Sequence, residues 1–215
     1  MQEQGKSAEG GTKPTVSIVM FMDFVCEWCY LAKHILDTMH DRYDIRMNYL
    51  FTEIHPDTPE GGMPMQWHIA TPSRFYRRIN SMGAPYGIHI CNRDVFSNTH
   101  KALVLAEYAR EKGKLNTYMN AVWDAYMLEG KNISDNTVLE DAVMHAGLGP
   151  NALREAFYDP KFEQQLLANE DVAISVGTDG HVPAFVVNGK NLIIGVHTAE
   201  EWASIFNEVS TVSQK

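Results

Sequence analysis

The chain has 215 residues, 45% hydrophobic and 21% charged, with a formal net charge of −9. That is enough for one large globular domain, or one domain carrying an insertion, and the acidic balance argues against a nucleic-acid partner. Three cysteines exclude a disulfide-stapled secreted scaffold, and no apolar run reaches the length of a membrane span.

Residues 1–14 read as a flexible tail ending at Pro14, polar and marked by Gly5, Gly10 and Gly11. It has no apolar core of the kind a signal peptide needs, and a cytoplasmic location is expected. The apolar run from Val16 to Phe24 predicts a buried strand, and Tyr30 to Met39 predicts a helix with Leu31, Ile35, Leu36 and Met39 on one face. Between them stands Cys26-Glu27-Trp28-Cys29. Asp44 to Phe51 alternates with Ile45, Met47, Tyr49 and Phe51 on one side, so it predicts a second strand and a βαβ unit with a parallel pair.

Phe51 to Met65 is rich in proline and glycine and reads as loop. From Thr71 to Gly177 the pattern is helical, with five helices expected. Thr71-Pro72 starts one, Ser97 or Asn98 another that ends near Gly113, and Leu115 to Tyr126 carries a third apolar stripe. Ser134 reads as an N-cap flanked by Ile133 and Val138 at staple positions, and Asp159-Pro160 opens a helix running through Val176. Strands return at Ala184–Val187 and Asn191–Ile194, joined by an Asn188-Gly189-Lys190 turn as an antiparallel hairpin. Thr198 and Glu201 form a capping box for the last helix, whose apolar face holds Trp202, Ile205 and Phe206.

The order βαβ, helical block, ββα gives an α/β thioredoxin-like fold with a large all-helical insertion of roughly a hundred residues, too long to be a connection. The expected division is a tail at 1–14, a first half of the thioredoxin-like domain at 15–69, the insertion at 70–176 and the second half at 177–210.

A Cys-x-x-Cys pair at a strand-to-helix junction puts the first sulfur at the helix N-terminus, where free backbone N–H groups and the helix dipole favour a thiolate. Cys26 should be the more exposed sulfur, with Cys29 one turn inside and buried. The rival is half of a zinc site, but zinc needs four ligands and Cys91 stands alone, so redox chemistry is favoured and no metal or other cofactor is expected. Cys91 reads as a small structural thiol. His34, His40, His89, His100 and His145 show no ligand spacing. Pro183 directly precedes the strand Ala184–Val187, the place where thioredoxin-like folds carry a cis-proline facing the cysteines. Trp28 reads as packing and as a substrate platform. Thioredoxin-type proteins often carry a buried acid six residues before the first cysteine. That position is Met20 here, so no base for Cys29 is identified.

The segment Phe24-Val25-Cys26-Glu27-Trp28-Cys29-Tyr30 resembles the active-site segment of DsbA-like oxidoreductases of the FrnE type, which usually read Cys-Pro-Trp-Cys-Tyr. Asn98 to Ala102, Gly130 to Asp135 and Val182 to Gly189 are similar to that family's insertion and cis-proline segments. The resemblance, from about Val16 to Trp202, implies thiol–disulfide oxidoreductase or protein disulfide isomerase activity through Cys26 and Cys29. Val182 and Pro183 would hold the substrate. The partner would be a protein bearing a disulfide or thiols, with glutathione as a further candidate. No membrane partner is expected, and the family members resembling this chain are typically cytoplasmic.

Two departures stand out. Glu27 replaces the usual proline. It either repels the Cys26 thiolate, making the pair more reducing, or is solvated and silent. His181 stands where the family usually has glycine, either tuning the thiolate or lying on a surface loop. The main functional rival is a glutathione-dependent isomerase or transferase of the 2-hydroxychromene-2-carboxylate isomerase or kappa-class type, which typically keeps serine at the helix start.

Overall fold

The computed structural model describes residues 13–212, so the expected tail lies outside the described residues apart from Lys13 and Pro14. In chain order the elements are β1 (Thr15–Met22), α1 (Glu27–Asp37), β2 (Asp44–Phe51), β3 (Met63–Pro64), α2 (Met65–His68) and α3 (Pro72–Gly83). They continue with β4 (Val95–Phe96), α4 (His100–Glu111), α5 (Leu115–Trp123), α6 (Asn136–His145), α7 (Ala152–Tyr158) and α8 (Lys161–Val176). The chain closes with β5 (Ala184–Val187), β6 (Asn191–Ile194) and α9 (Ala199–Val212).

Four strands form one sheet in the order β2-β1-β5-β6, with β1 and β2 parallel and the other two pairings antiparallel. Alternation along β1 divides its side chains between the two faces. Val16, Ile18, Met20 and Met22 point into the main core with Leu31 and Ile35 of α1 and Trp202 and Phe206 of α9, whereas Phe21 joins Ala173 of α8 in a smaller cluster on the other face. The sheet is therefore sandwiched between helices, as its parallel pair requires.

The β5–β6 hairpin turns at Asn188 and Gly189 with φ of 51° and 70°. Both central residues are left-handed, which asparagine tolerates and glycine adopts without cost. At α9 the Glu201 carboxylate accepts the Thr198 N–H at 2.7 Å, while the Thr198 hydroxyl accepts the Glu201 N–H at 3.2 Å, closing the capping box.

The helical segment docks on the sheet domain through aromatic rings. Phe24, just past β1, packs on Phe51 of β2 and edge-on against Tyr118 and Trp123 of α5, and Trp123 also meets Tyr30 of α1. The main core is continuous across this junction.

Several local expectations are corrected. Strand β1 ends at Met22, short of Phe24, because Asp23 enters the turn; α1 starts at Glu27 with Cys26 as its N-cap, at the expected strand-to-helix junction. Among the described residues six α-helices, not five, lie between 71 and 177; the additional one is α7, and a π-helical turn at Asp124–Leu128 extends α5. Asp135 caps α6 by accepting the Thr137 N–H, while Ser134 is drawn away to bridge the Asn98 backbone, accepting its N–H and donating to its carbonyl. The two-residue strands β3 and β4 pair with each other across the start of the helical segment.

Candidate active site

Strand β1 ends in a turn in which the Cys26 N–H bonds the Asp23 carbonyl at 3.2 Å, and Cys26 then holds the N-cap position of α1 with extended backbone angles. Its sulfur accepts the Cys29 N–H at 3.1 Å. An N-cap side chain normally satisfies one of the four free N–H groups of the first turn, and here a sulfur does so. Cys26 retains 6% of its surface and Cys29 none, and both are free thiols.

The Val182–Pro183 bond is cis, and the Cys26 thiol donates to the Val182 carbonyl at 3.7 Å. Residues 156 positions apart are thus brought to one place. Val182 is half-buried and Pro183 buried. Trp28 meets Phe75 of α3 edge-on at 6.0 Å, and the Arg78 guanidinium lies 5.6 Å from the Trp28 ring. Arg74, Arg77 and Arg78 are all exposed, and among the described residues they enter no ion pair. His181 is turned away onto its own loop, with Nδ1 3.1 Å from the Thr178 carbonyl oxygen.

Glu27 is not the solvated bystander that one of the two sequence expectations allowed. It is 6% exposed, hence not solvated, and its carboxylate is not alone, because it accepts a hydrogen bond from Arg93 in a buried ion pair. The Arg93 side chain is fully buried, with the Tyr126 ring centroid 4.1 Å and the Tyr76 centroid 5.2 Å from its guanidinium carbon. Burial still pushes the Glu27 carboxyl up, against the opposing pull of the Arg93 charge.

Asp23 is the acid that the sequence did not single out. It has no exposed surface, and burial raises its pKa to about 7 although the Ile54 N–H donates to one carboxylate oxygen at 3.0 Å and the Val25 N–H reaches the other at 3.4 Å. The Cys29 thiol is pushed well up by burial first, then by the Cys26 sulfur and by the Asp23 charge, while the Asp23 backbone N–H acts in the opposite direction. One signal was available: Asp23 is the only charged residue in the apolar run from Val16 to Val25. Arg93 had no comparable signal, since it lies 66 residues from its partner.

Cys91 is half-buried and its backbone N–H bonds the Met127 carbonyl, away from the dithiol. No group of three His, Cys, Asp or Glu among the described residues is arranged to hold a metal ion, and no described helix is long and apolar enough to cross a membrane.

Residues 17–206 match the family model of the DSBA-like thioredoxin domain. Among solved structures the chain is similar to a probable DsbA oxidoreductase from Streptomyces coelicolor (TM-score 0.80, 19% identity, covering 90% of this chain and 89% of that one). It is also similar to a 2-hydroxychromene-2-carboxylate isomerase (TM-score 0.71, 14% identity, 92% and 96% covered). A third likeness is to the cytosolic disulfide reductase DsbM from Pseudomonas aeruginosa with GSH (TM-score 0.59, 16% identity, 91% and 99% covered). At these identities the likenesses carry the fold.

Proposed function

Because the chain belongs to the DSBA-like thioredoxin domain family and is an enzyme of the DsbA-type oxidoreductase class, we propose that it exchanges disulfides through Cys26 and Cys29. The observation carrying this reading is the Cys26 sulfur itself. It caps α1, accepts the Cys29 N–H and faces the Val182 carbonyl beside Pro183. The form that attacks is the thiolate, and a helix N-terminus presents backbone N–H groups to it.

In the reducing direction the Cys26 thiolate attacks one sulfur of a substrate disulfide, forming a mixed disulfide and expelling the other sulfur as a thiolate. Cys29 loses its proton and attacks the Cys26 sulfur, releasing the second substrate thiolate. Two electrons pass to the substrate and the Cys26–Cys29 disulfide remains. Asp23 is the group suited to take the Cys29 proton, since its pKa of about 7 suits it for transfer near neutral pH. Trp28 offers an apolar platform, and the Val182 backbone offers hydrogen bonds to an extended segment. The reverse sequence oxidises a dithiol. The substrate is a disulfide- or thiol-bearing protein, the site resembles the FrnE type, and a cytoplasmic location fits a protein of this kind.

A second reading, a glutathione-dependent isomerase or transferase, draws on one feature: the exposed arginines of α3 beside Trp28 would suit the carboxylates of glutathione. Insulin reduction measured beside glutathione conjugation separates the two. The parent should reduce insulin, Cys26→Ser should abolish this, and Cys29→Ser should accumulate mixed disulfides. Insulin reduction persisting in Cys26→Ser, or glutathione conjugation persisting in that variant, would refute the dithiol mechanism.

A further inference from the structure

The residue between Cys26 and Trp28 is a buried carboxylate paired with a buried guanidinium from a distant loop. A buried pair usually gains little net stability, because desolvating both charges offsets their attraction. Its position matters more here than its energy. Glu27 is the first residue of α1, one peptide from the sulfur that caps that helix. Arg93 reaches it from the loop before β4, 66 residues away, held between the rings of Tyr76 on α3 and Tyr126 on the π-helical turn, with the Met127 sulfur 3.4 Å from one guanidinium nitrogen. Every residue of this cradle belongs to the segment inserted between the two halves of the sheet domain.

We propose that Arg93 is a positioning residue of the dithiol site: it neutralises Glu27 inside the protein and so sets the electrostatic baseline on which the Cys26 thiolate forms. The inference rests on the dithiol reading above and extends it to a partner supplied by the inserted segment.

The two charges are not equivalent. A guanidinium stays charged at any pH a protein survives, whereas a carboxylate deprived of its partner can take up a proton. Removing the Glu27 charge therefore leaves an uncompensated cation near Cys26 and favours its thiolate. Removing the Arg93 charge leaves a carboxylate that opposes the thiolate only at pH values where it stays ionised. The other titratable groups facing the pair are Tyr76 on α3 and Tyr126 on the π-helical turn, with Cys91 acting on Tyr76, and on the sulfur side Cys29 of α1 faces Cys26, with Asp23 beyond β1 acting on Cys29. These are the same in every variant, so differences between variants isolate the pair.

The test combines site-resolved alkylation of Cys26 at mildly acidic and mildly alkaline pH with the thiol–disulfide equilibrium of the Cys26–Cys29 couple against glutathione. Glu27→Gln should be alkylated at Cys26 about tenfold faster and should shift the equilibrium about tenfold toward the dithiol, the size of one pKa unit. The double variant Glu27→Gln/Arg93→Gln should return to within about threefold of the parent on both measures, and Arg93→Lys should keep parental values. Arg93→Gln alone should be alkylated more slowly than the parent at mildly alkaline pH and match it at mildly acidic pH. This variant keeps the test decisive if Glu27→Gln does not fold, because a lone buried carboxyl can be neutralised by a proton and a lone guanidinium cannot. A Glu27→Gln variant unchanged on both measures, a double variant that keeps the gain, or an Arg93→Gln deficit independent of pH would each overturn the assignment. If the parent forms no Cys26–Cys29 couple at all, the dithiol reading falls by itself, and the alkylation rates still decide the role of Arg93.

Discussion

At the scale of single residues, the site depends on two carboxylates buried in different ways. Glu27 is balanced by Arg93, whereas Asp23 is compensated only by hydrogen bonds, and burial outweighs them. Its pKa of about 7 lies above the unfolded value of 3.8. Between those two pH values the native protein holds a proton that the unfolded chain has lost, so the stability contribution of Asp23 is greatest below the lower value and falls as pH rises toward the upper one. The full difference is worth up to roughly 4 kcal/mol. Asp23→Asn cannot titrate, so its stability relative to the parent should improve when denaturant unfolding is repeated at mildly alkaline instead of mildly acidic pH. Parallel pH dependences of the two proteins would show that Asp23 ionises normally. The same variant should reduce insulin about a hundredfold more slowly, because Cys29 loses its proton acceptor.

At the scale of elements, α1 and α5 meet through Trp123, which is fully buried and touches both Phe24 and Tyr30. Trp123→Ala removes a large ring from a packed junction and should cost about 3–5 kcal/mol. Denaturant unfolding should show a lower midpoint with an unchanged slope, and a shift equivalent to less than about 1 kcal/mol would mean that the junction is not close-packed. At α9 the capping box fixes where the helix begins, and with it the placement of Trp202 and Phe206 in the core. Thr198→Ala should cost about 1 kcal/mol. Thr198→Asp, which still offers an acceptor to the Glu201 N–H, should recover most of that loss in thermal unfolding.

At the scale of the whole molecule, the inserted segment is part of the fold and not an appendage. The rings of Phe24, Phe51 and Tyr30 lie in one core with Tyr118 and Trp123. Replacing residues 70–176 by a short Gly-Ser linker would expose that face and remove Arg93 from Glu27. The shortened chain should therefore lose its near-ultraviolet circular dichroism and bind a hydrophobic dye, as loosely packed states do. A cooperative unfolding transition in that chain would show that the two flanking halves fold on their own.

What the sequence by itself determined is what short-range physics writes into it. Alternation placed β2, and short apolar runs on either side of a turn placed β5 and β6, at their observed limits; the Asn188-Gly189 pair marked the hairpin turn, and Thr198 with Glu201 marked a helix start. The Cys-x-x-Cys at a strand-to-helix junction located the two sulfurs, because capping and helix geometry act within a few residues. Even locally there were limits: Ser134 looked like a cap, but a better partner in Asn98, 36 residues away, took its hydroxyl. Only the tertiary structure decided the electrostatics of the site. Whether Glu27 meets water or Arg93, and whether Asp23 gives up its proton near pH 4 or near pH 7, depends on desolvation and on partners remote in sequence. Burial and pairing of charge are properties of the packed molecule, and no periodicity along the chain encodes them.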